Sequence, residues 1–217
     1  PRARPRSWAR YWESADVVSY PVCGRMVAAP SRTRGMSVSL TEFRQALGCF
    51  ATGITVITLD SDNEVHGMTA NAFTSVSLDP MLVLVCVDKR ARTHSHLHAK
   101  KRFGVNVLSE NQRAISEYYA RPARTHDRAA EEAGAAFERT QHGTPVLRGA
   151  LAYLECRLHT AQDAGDHTIF IAEVEEVVVR EGNPLLFFES RYRKIGGVVE
   201  TSAPTSPANR NTKPRGV

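Results

Sequence analysis

The chain has 217 residues, 42% of them hydrophobic and 24% charged, and a formal net charge of +5. Length and apolar content fit one domain with a sizeable core and exclude wholesale disorder. The longest unbroken apolar run, Met81 to Val87, falls far short of the ~20 residues a membrane helix needs, so no membrane partner is expected.

The positive charge sits at the two ends. Residues 1–35 carry seven Arg against Glu13 and Asp16, a balance of +5, and residues 201–217 carry +3 with no acid. The body, 36–200, is −3. Residues 1–35 hold four Pro and no sustained period, and a start at Met36 would give a sensible domain. They read as a disordered or non-native extension. No apolar stretch of the signal-peptide kind follows the first arginines. The Pro- and Ser-rich segment 201–217 reads as a flexible tail. A basic field confined to the ends gives no reason to expect a nucleic-acid partner. Cys23, Cys49, Cys86 and Cys156 lie far apart with no C-x-x-C, which excludes a zinc ribbon or thioredoxin motif. Reduced thiols and a cytoplasmic location follow.

Along the body, Ser39 and Glu42 form a capping box, and Phe43, Ala46, Leu47 and Phe50 follow at helical spacing. Strands then dominate. Residues 54–60 are β-branched, 61–64 form a turn, and 64–69 return. Residues 73–77 alternate. Asp79-Pro80 breaks the chain before 81–87, whose continuous apolar run predicts a strand buried on both faces. A short helix over 93–101, a strand over 102–108 and a helix over 110–120 come next. Residues 121–149 are mixed and polar, a long excursion. Strands follow over 150–161, 167–180 and 185–188. About seven strands with short turns predict a mainly β fold, a closed antiparallel barrel.

Several chemistries are missing. No two Gly are separated by one residue, so G-x-G-x-x-G is absent, as are the P-loop, G-x-S-x-G and H-E-x-x-H. His94, His96 and His98 suggest a metal at strand spacing, but the segment favours a helix on which only His94 and His98 share a face. A solvated helix face is expected there, and no metal. The stretch from Thr69 to Ser77 is five parts Thr, Asn and Ser in nine residues, suited either to surrounding a flat heterocycle or to an ordinary polar strand face.

Read together, residues 50–58, 66–80, 82–94, 103–112, 149–156, 165–174 and 191–195 resemble, in collinear order, the short-chain flavin reductase family. These are the reductase components of two-component flavin-dependent monooxygenases. The resemblance implies a split β-barrel of Greek-key topology and a homodimer. It also implies FMN or FAD as flavin, NADH (or NADPH) as donor, and a monooxygenase reached by diffusible reduced flavin. A flavin- or haem-binding barrel without turnover is the alternative. By resemblance, Thr69, Ala70, Asn71, Ala72, Phe73, Thr74 and Ser75 line the flavin ring and ribityl chain. Cys86, Val87 and Asp88 end the neighbouring strand, and Lys89, Ala91, Arg92 and Thr93 fall in the phosphate segment. Phe103, Gly104 and Asn106 border the flavin. Thr52, Gly53, Thr55, His167 and Tyr192 are the nicotinamide candidates. Many relatives carry Ser where this chain has Ala91, so one phosphate hydroxyl is missing. No catalytic acid or base is expected, because hydride transfer between the rings needs none.

Overall fold

A computed structural model describes residues 38–61, 64–121 and 126–199. The expectations for 1–35 and 201–217 fall outside these residues. Helix α1 (Leu40–Gly48) precedes β1 (Thr52–Gly53), β2 (Thr55–Ser61), β3 (Glu64–Ala70), β4 (Phe73–Leu78) and β5 (Met81–Asp88). Then come α2 (Arg92–Lys100), β6 (Arg102–Val107), α3 (Arg113–Tyr119), α4 (Arg128–Glu132), β7 (Phe137–Arg139) and β8 (Pro145–Leu147). Two long strands, β9 (Ala152–Ala164) and β10 (His167–Val179), precede β11 (Leu185–Phe188) and β12 (Arg191–Lys194).

Seven strands form one antiparallel sheet in the order β3-β2-β6-β9-β10-β5-β4. Its two edge strands, β3 and β4, are consecutive in the chain and joined by only Asn71 and Ala72. So short a link forces the sheet to curl until its ends approach. The Cys86 amide donates to the Ala72 carbonyl at 3.1 Å, carrying the β4–β5 pairing up to that link. Register shifts between β9 and β10, at Ile171/Ala172 and Val174/Glu176, bend the two long strands around the curve. Inside, Ile57, Leu59, Val83, Val85, Val87, Phe103, Val105, Cys156, Phe170 and Ala172 make one core, plugged at one end by Leu97 of α2. The result is a split barrel: closed by its core, open along β3 and β4.

The outer face of β2 has its own cover. Ile54, Val56, Leu108, Ile115, Tyr118, Tyr119 and Leu147 pack together beneath α3, α4 and the β7–β8 hairpin. The described part of the polar excursion, 126–149, is therefore part of the outer layer. Within that layer Thr144, Thr140 and His142 place hydrogen bonds on the fully buried carboxylate of Glu155. Burial pushes the Glu155 pKa up, but these bonds outweigh it and hold the group below its ordinary value.

Three sequence expectations need correction. The run in β5 is not buried on both faces. Val83, Val85 and Val87 point into the core, while Leu82, Leu84 and Cys86 are half-buried on the other side, where no element among the described residues covers them. The histidines of α2 are not simply solvated. The His94 and His98 rings pack edge-on against Phe170, with centroids 5.5 and 5.0 Å away, and His94 Nε2 lies 2.9 Å from Thr168 Oγ1. Among the described residues, no group of three or more His, Cys, Asp or Glu is placed to hold a metal ion. Third, Phe103, Gly104 and Asn106 do not border an open cleft. They lie on the central strand β6, covered on both faces. Phe103 is in the barrel core. A side chain at Gly104 would meet Thr58 Oγ1 at 2.5 Å. Asn106 donates to the Val56 carbonyl at 2.9 Å and accepts from the Leu147 amide at 2.8 Å, pinning the hairpin to the sheet.

Candidate active site

Two cavities follow the seam. The larger, ≈ 650 Å³, is floored by Phe73, Leu84, Cys86 and Val107. Thr52, Gly53, Thr55, Asn71, Ala72 and Thr74 rim it, and Leu47 and Phe50 stand at one side. The smaller, ≈ 490 Å³, is walled by His66, Gly67, Met68, Thr69, Asp88, Arg90, Ala91, Thr93, Tyr119, Ala120 and Arg121. From Gly67 to Asn71 strand β3 advances about 13 Å at its ordinary rise. That is the length of a flat ring system followed by a short chain and an anionic group.

The sequence explains the shape of the larger cavity. The non-core face of β5 is apolar yet bare, so Leu84 and Cys86 present a flat hydrophobic floor. Thr55, buried on β2, donates its hydroxyl to the Ala70 carbonyl at 2.8 Å and fixes the end of β3 where it turns into Asn71. Burial pushes the Cys86 thiol up, so it lines the floor as a neutral group.

The smaller cavity is polar. At its mouth α2 begins after Ala91, an extended residue that offers no side-chain cap. The first amides of the helix are thus left for another acceptor. Arg90 is held by Asp88, at 2.7 Å, and this pairing keeps the Asp88 carboxyl well below the usual carboxylate range. Lys89 pairs with Asp163 at 3.1 Å. Arg92 is exposed and makes no ion pair among the described residues.

The predicted site residues divide as follows. Asn71, Ala72, Phe73, Thr74 and Cys86 line the larger cavity with Thr52, Gly53 and Thr55, so the expected flavin and nicotinamide groups share one space. Thr69, Asp88, Ala91 and Thr93 line the smaller one, and Thr69 turns its hydroxyl away to the Ser116 carbonyl at 2.7 Å. Ala70 and Val87 point into the barrel core, leaving only backbone at the seam. Ser75 lines neither cavity. His167 lines neither cavity; it stands opposite Asp88 in the β10–β5 register, with Nδ1 2.7 Å from Asp166 Oδ1. Tyr192 packs beneath α3: its ring lies 5.7 Å from Phe187, and its hydroxyl is 3.1 Å from Ser116 Oγ. Sequence reasoning missed His66, Tyr119 and Arg121 on the wall. Only His66 gave a local signal, as a polar residue within a strand directly before the Gly67 block.

A split barrel whose open seam carries a flat apolar floor and, farther along, an uncapped helix start defines a nucleotide-binding barrel. Residues 47–196 match the flavin reductase like domain. The chain is 41% identical over 161 residues to the NADH-dependent flavin reductase StyB of Pseudomonas fluorescens, covering 72% of this chain and 91% of that protein. It is 38% identical over 151 residues to the reductase component of a 4-nitrophenol 4-monooxygenase/4-nitrocatechol 2-monooxygenase of Rhodococcus opacus, covering 70% and 78%. Among solved structures, an NADH:FAD oxidoreductase of Streptomyces globisporus in complex with NAD and FAD fragments superposes with a TM-score of 0.67 at 36% identity, covering 74% of this chain and 94% of that one. The chain belongs to the flavin reductase-like family.

Proposed function

We propose that this protein is an NAD(P)H:flavin oxidoreductase that reduces FMN or FAD and supplies reduced flavin to a separate monooxygenase. The observation that carries the reading is the seam itself: along it a cavity with a broad apolar floor is followed by a polar cavity with an uncapped helix start, at the spacing of a flavin nucleotide. The StyB relative is named an NADH-dependent reductase, and the Rhodococcus opacus relative is named a component of a monooxygenase. These names favour turnover over passive flavin or haem binding.

The residues present fit such a cofactor. When bound, reduced nicotinamide supplies a hydride and the flavin ring takes it up. The protein's part is placement. Phe73, Leu84 and Val107 offer a dry flat surface for one ring, and the cavity is wide enough to stack a second. Asn71, Ala72 and Thr74 offer backbone groups at the rim, where β3 and β4 leave edge positions unpaired with each other. Arg92, the open amides of α2 and the Thr93 hydroxyl hold a phosphate. No acid or base stands on the floor of the larger cavity, and the reaction needs none.

We also read the protein as a homodimer. Helix α1 is amphipathic but buries nothing: its Phe43 and Leu47 are 54% and 57% exposed, and Phe50 just beyond it is 75% exposed. Leu78 and Met81, at the β4–β5 turn, are exposed as well. A second copy laid on this face would close the larger cavity from outside. Among the described residues Cys49, Cys86 and Cys156 are free thiols, which supports a reducing, cytoplasmic setting. No described helix is long and apolar enough to cross a membrane.

The test is NADH or NADPH consumption with FMN, FAD or no flavin added. Consumption that requires added flavin supports the proposal. No consumption with any flavin and either donor overturns it.

A further inference from the structure

His66, on β3, is 2% exposed and forms part of the wall of the smaller cavity. Its Nε2 lies 2.8 Å from Thr93 Oγ1, and its Nδ1 is buried with no hydrogen-bond partner. Burial pushes its pKa down to about 4, with His96 and Arg92 adding to the effect, so the ring is neutral at ordinary pH.

A neutral imidazole carries one proton, and the two placements are not equivalent. On Nδ1 the proton would be a buried N–H with nothing to receive it. Orphaned buried N–H groups are rarer, and costlier, than bare acceptors. On Nε2 the proton is given to Thr93 Oγ1, and only a lone pair at Nδ1 is left unmatched. The second tautomer wins. Thr93 then receives a hydrogen bond and keeps its own O–H to donate. No described residue accepts that O–H, and Thr93 faces the same cavity in the first turn of α2.

We propose that His66 is a positioning residue: by donating Nε2–H to Thr93 it aims the Thr93 hydroxyl proton at the phosphate monoester of the flavin, in place of the hydroxyl missing at Ala91. The proposal rests on the reading of the α2 start as the phosphate site.

The test compares FMN with riboflavin, which has the same ring and chain but no phosphate. In wild-type enzyme the KM for FMN should be the lower. His66→Leu should raise the FMN KM on the order of tenfold, change the riboflavin KM by less than about twofold, and leave kcat nearly unchanged. His66→Gln, whose amide can donate to Thr93, should recover most of the loss. Thr93→Val should match His66→Leu, and the double variant should be no worse than either, because the two act as one unit. Equal KM shifts for both flavins in His66→Leu, or an unchanged FMN KM in Thr93→Val, overturn the role of His66. Wild-type enzyme that does not distinguish FMN from riboflavin overturns the phosphate site itself, and the proposal with it.

Discussion

The Thr55 hydroxyl donates to the Ala70 carbonyl at 2.8 Å, tying strand β2 to the last residue of β3 before the seam turns. Thr55→Val keeps the shape and removes the donor. Losing a buried hydrogen bond of this kind costs about 1 kcal/mol of stability. Because Asn71 and Ala72 follow directly, the flavin KM should rise as well. Urea midpoint and flavin KM, measured together, check this; a lower midpoint with an unmoved KM would separate Thr55 from the cleft.

Gly104 carries no cleft role in this fold, so its substitution should act on stability alone. In Gly104→Ala the new methyl meets Thr58 Oγ1 at 2.5 Å and Tyr153 Cε2 at 2.7 Å. Overpacking of this sort costs roughly 1–3 kcal/mol. The Tm should fall by several degrees while KM values for flavin and NADH stay within about twofold of wild type.

His66 ties stability to pH. In the fold its pKa is lowered from the ordinary 6.5 to about 4. The unfolded chain therefore takes up a proton as pH falls through 6.5, and the fold does not until about 4. The stabilisation is full above pH 6.5 and is lost as pH falls towards 4, at most ~3 kcal/mol in all. His66→Leu should lose less of its urea stability between pH 7 and pH 5 than wild type does. An identical drop in both proteins would contradict this.

His167 stands across from Asp88, a residue on the wall of the smaller cavity. If it meets the donor nucleotide, His167→Ala raises the NADH KM more than the flavin KM. Equal rises would remove it from the donor's site.

The exposed face of α1 gives the dimer its test. Phe43→Glu should convert a dimer to a monomer by light scattering. Flavin affinity should weaken too, since Leu47 of the same helix and Phe50 just after it border the larger cavity. A wild-type protein that is monomeric at micromolar concentration would refute the dimer.

Much of the fold was legible because alternation and β-branching report directly on strands. Residues 54–60 and 167–180 carry that signal, and the continuous apolar run of 81–87 marks a third strand. What misled was an apolar strand face that the described chain leaves uncovered. The apolar run of β5 looks buried on both faces because Leu84 and Cys86 are as hydrophobic as Val83 and Val85. Periodicity cannot say whether core, ligand or second copy meets a face. Strand β12 escaped because Arg191–Lys194 is almost wholly charged and owes its pairing to Leu185–Phe188 beside it. Phe103, Gly104 and Asn106 were misplaced for a related reason. Their family block lies near the cleft in sequence, but only the sheet order shows that β6 has a neighbour on each side. His66 was missed because its role depends on Thr93, 27 positions away.

The sheet's two loose edges are the rim of its cleft. A sheet edge left bare is a template for foreign strands. In this barrel whatever occupies the seam also screens that template. Nucleotide occupancy should thus act as a shield against aggregation. Stripping the protein of flavin would expose, in one step, both its working surface and its most adhesive one.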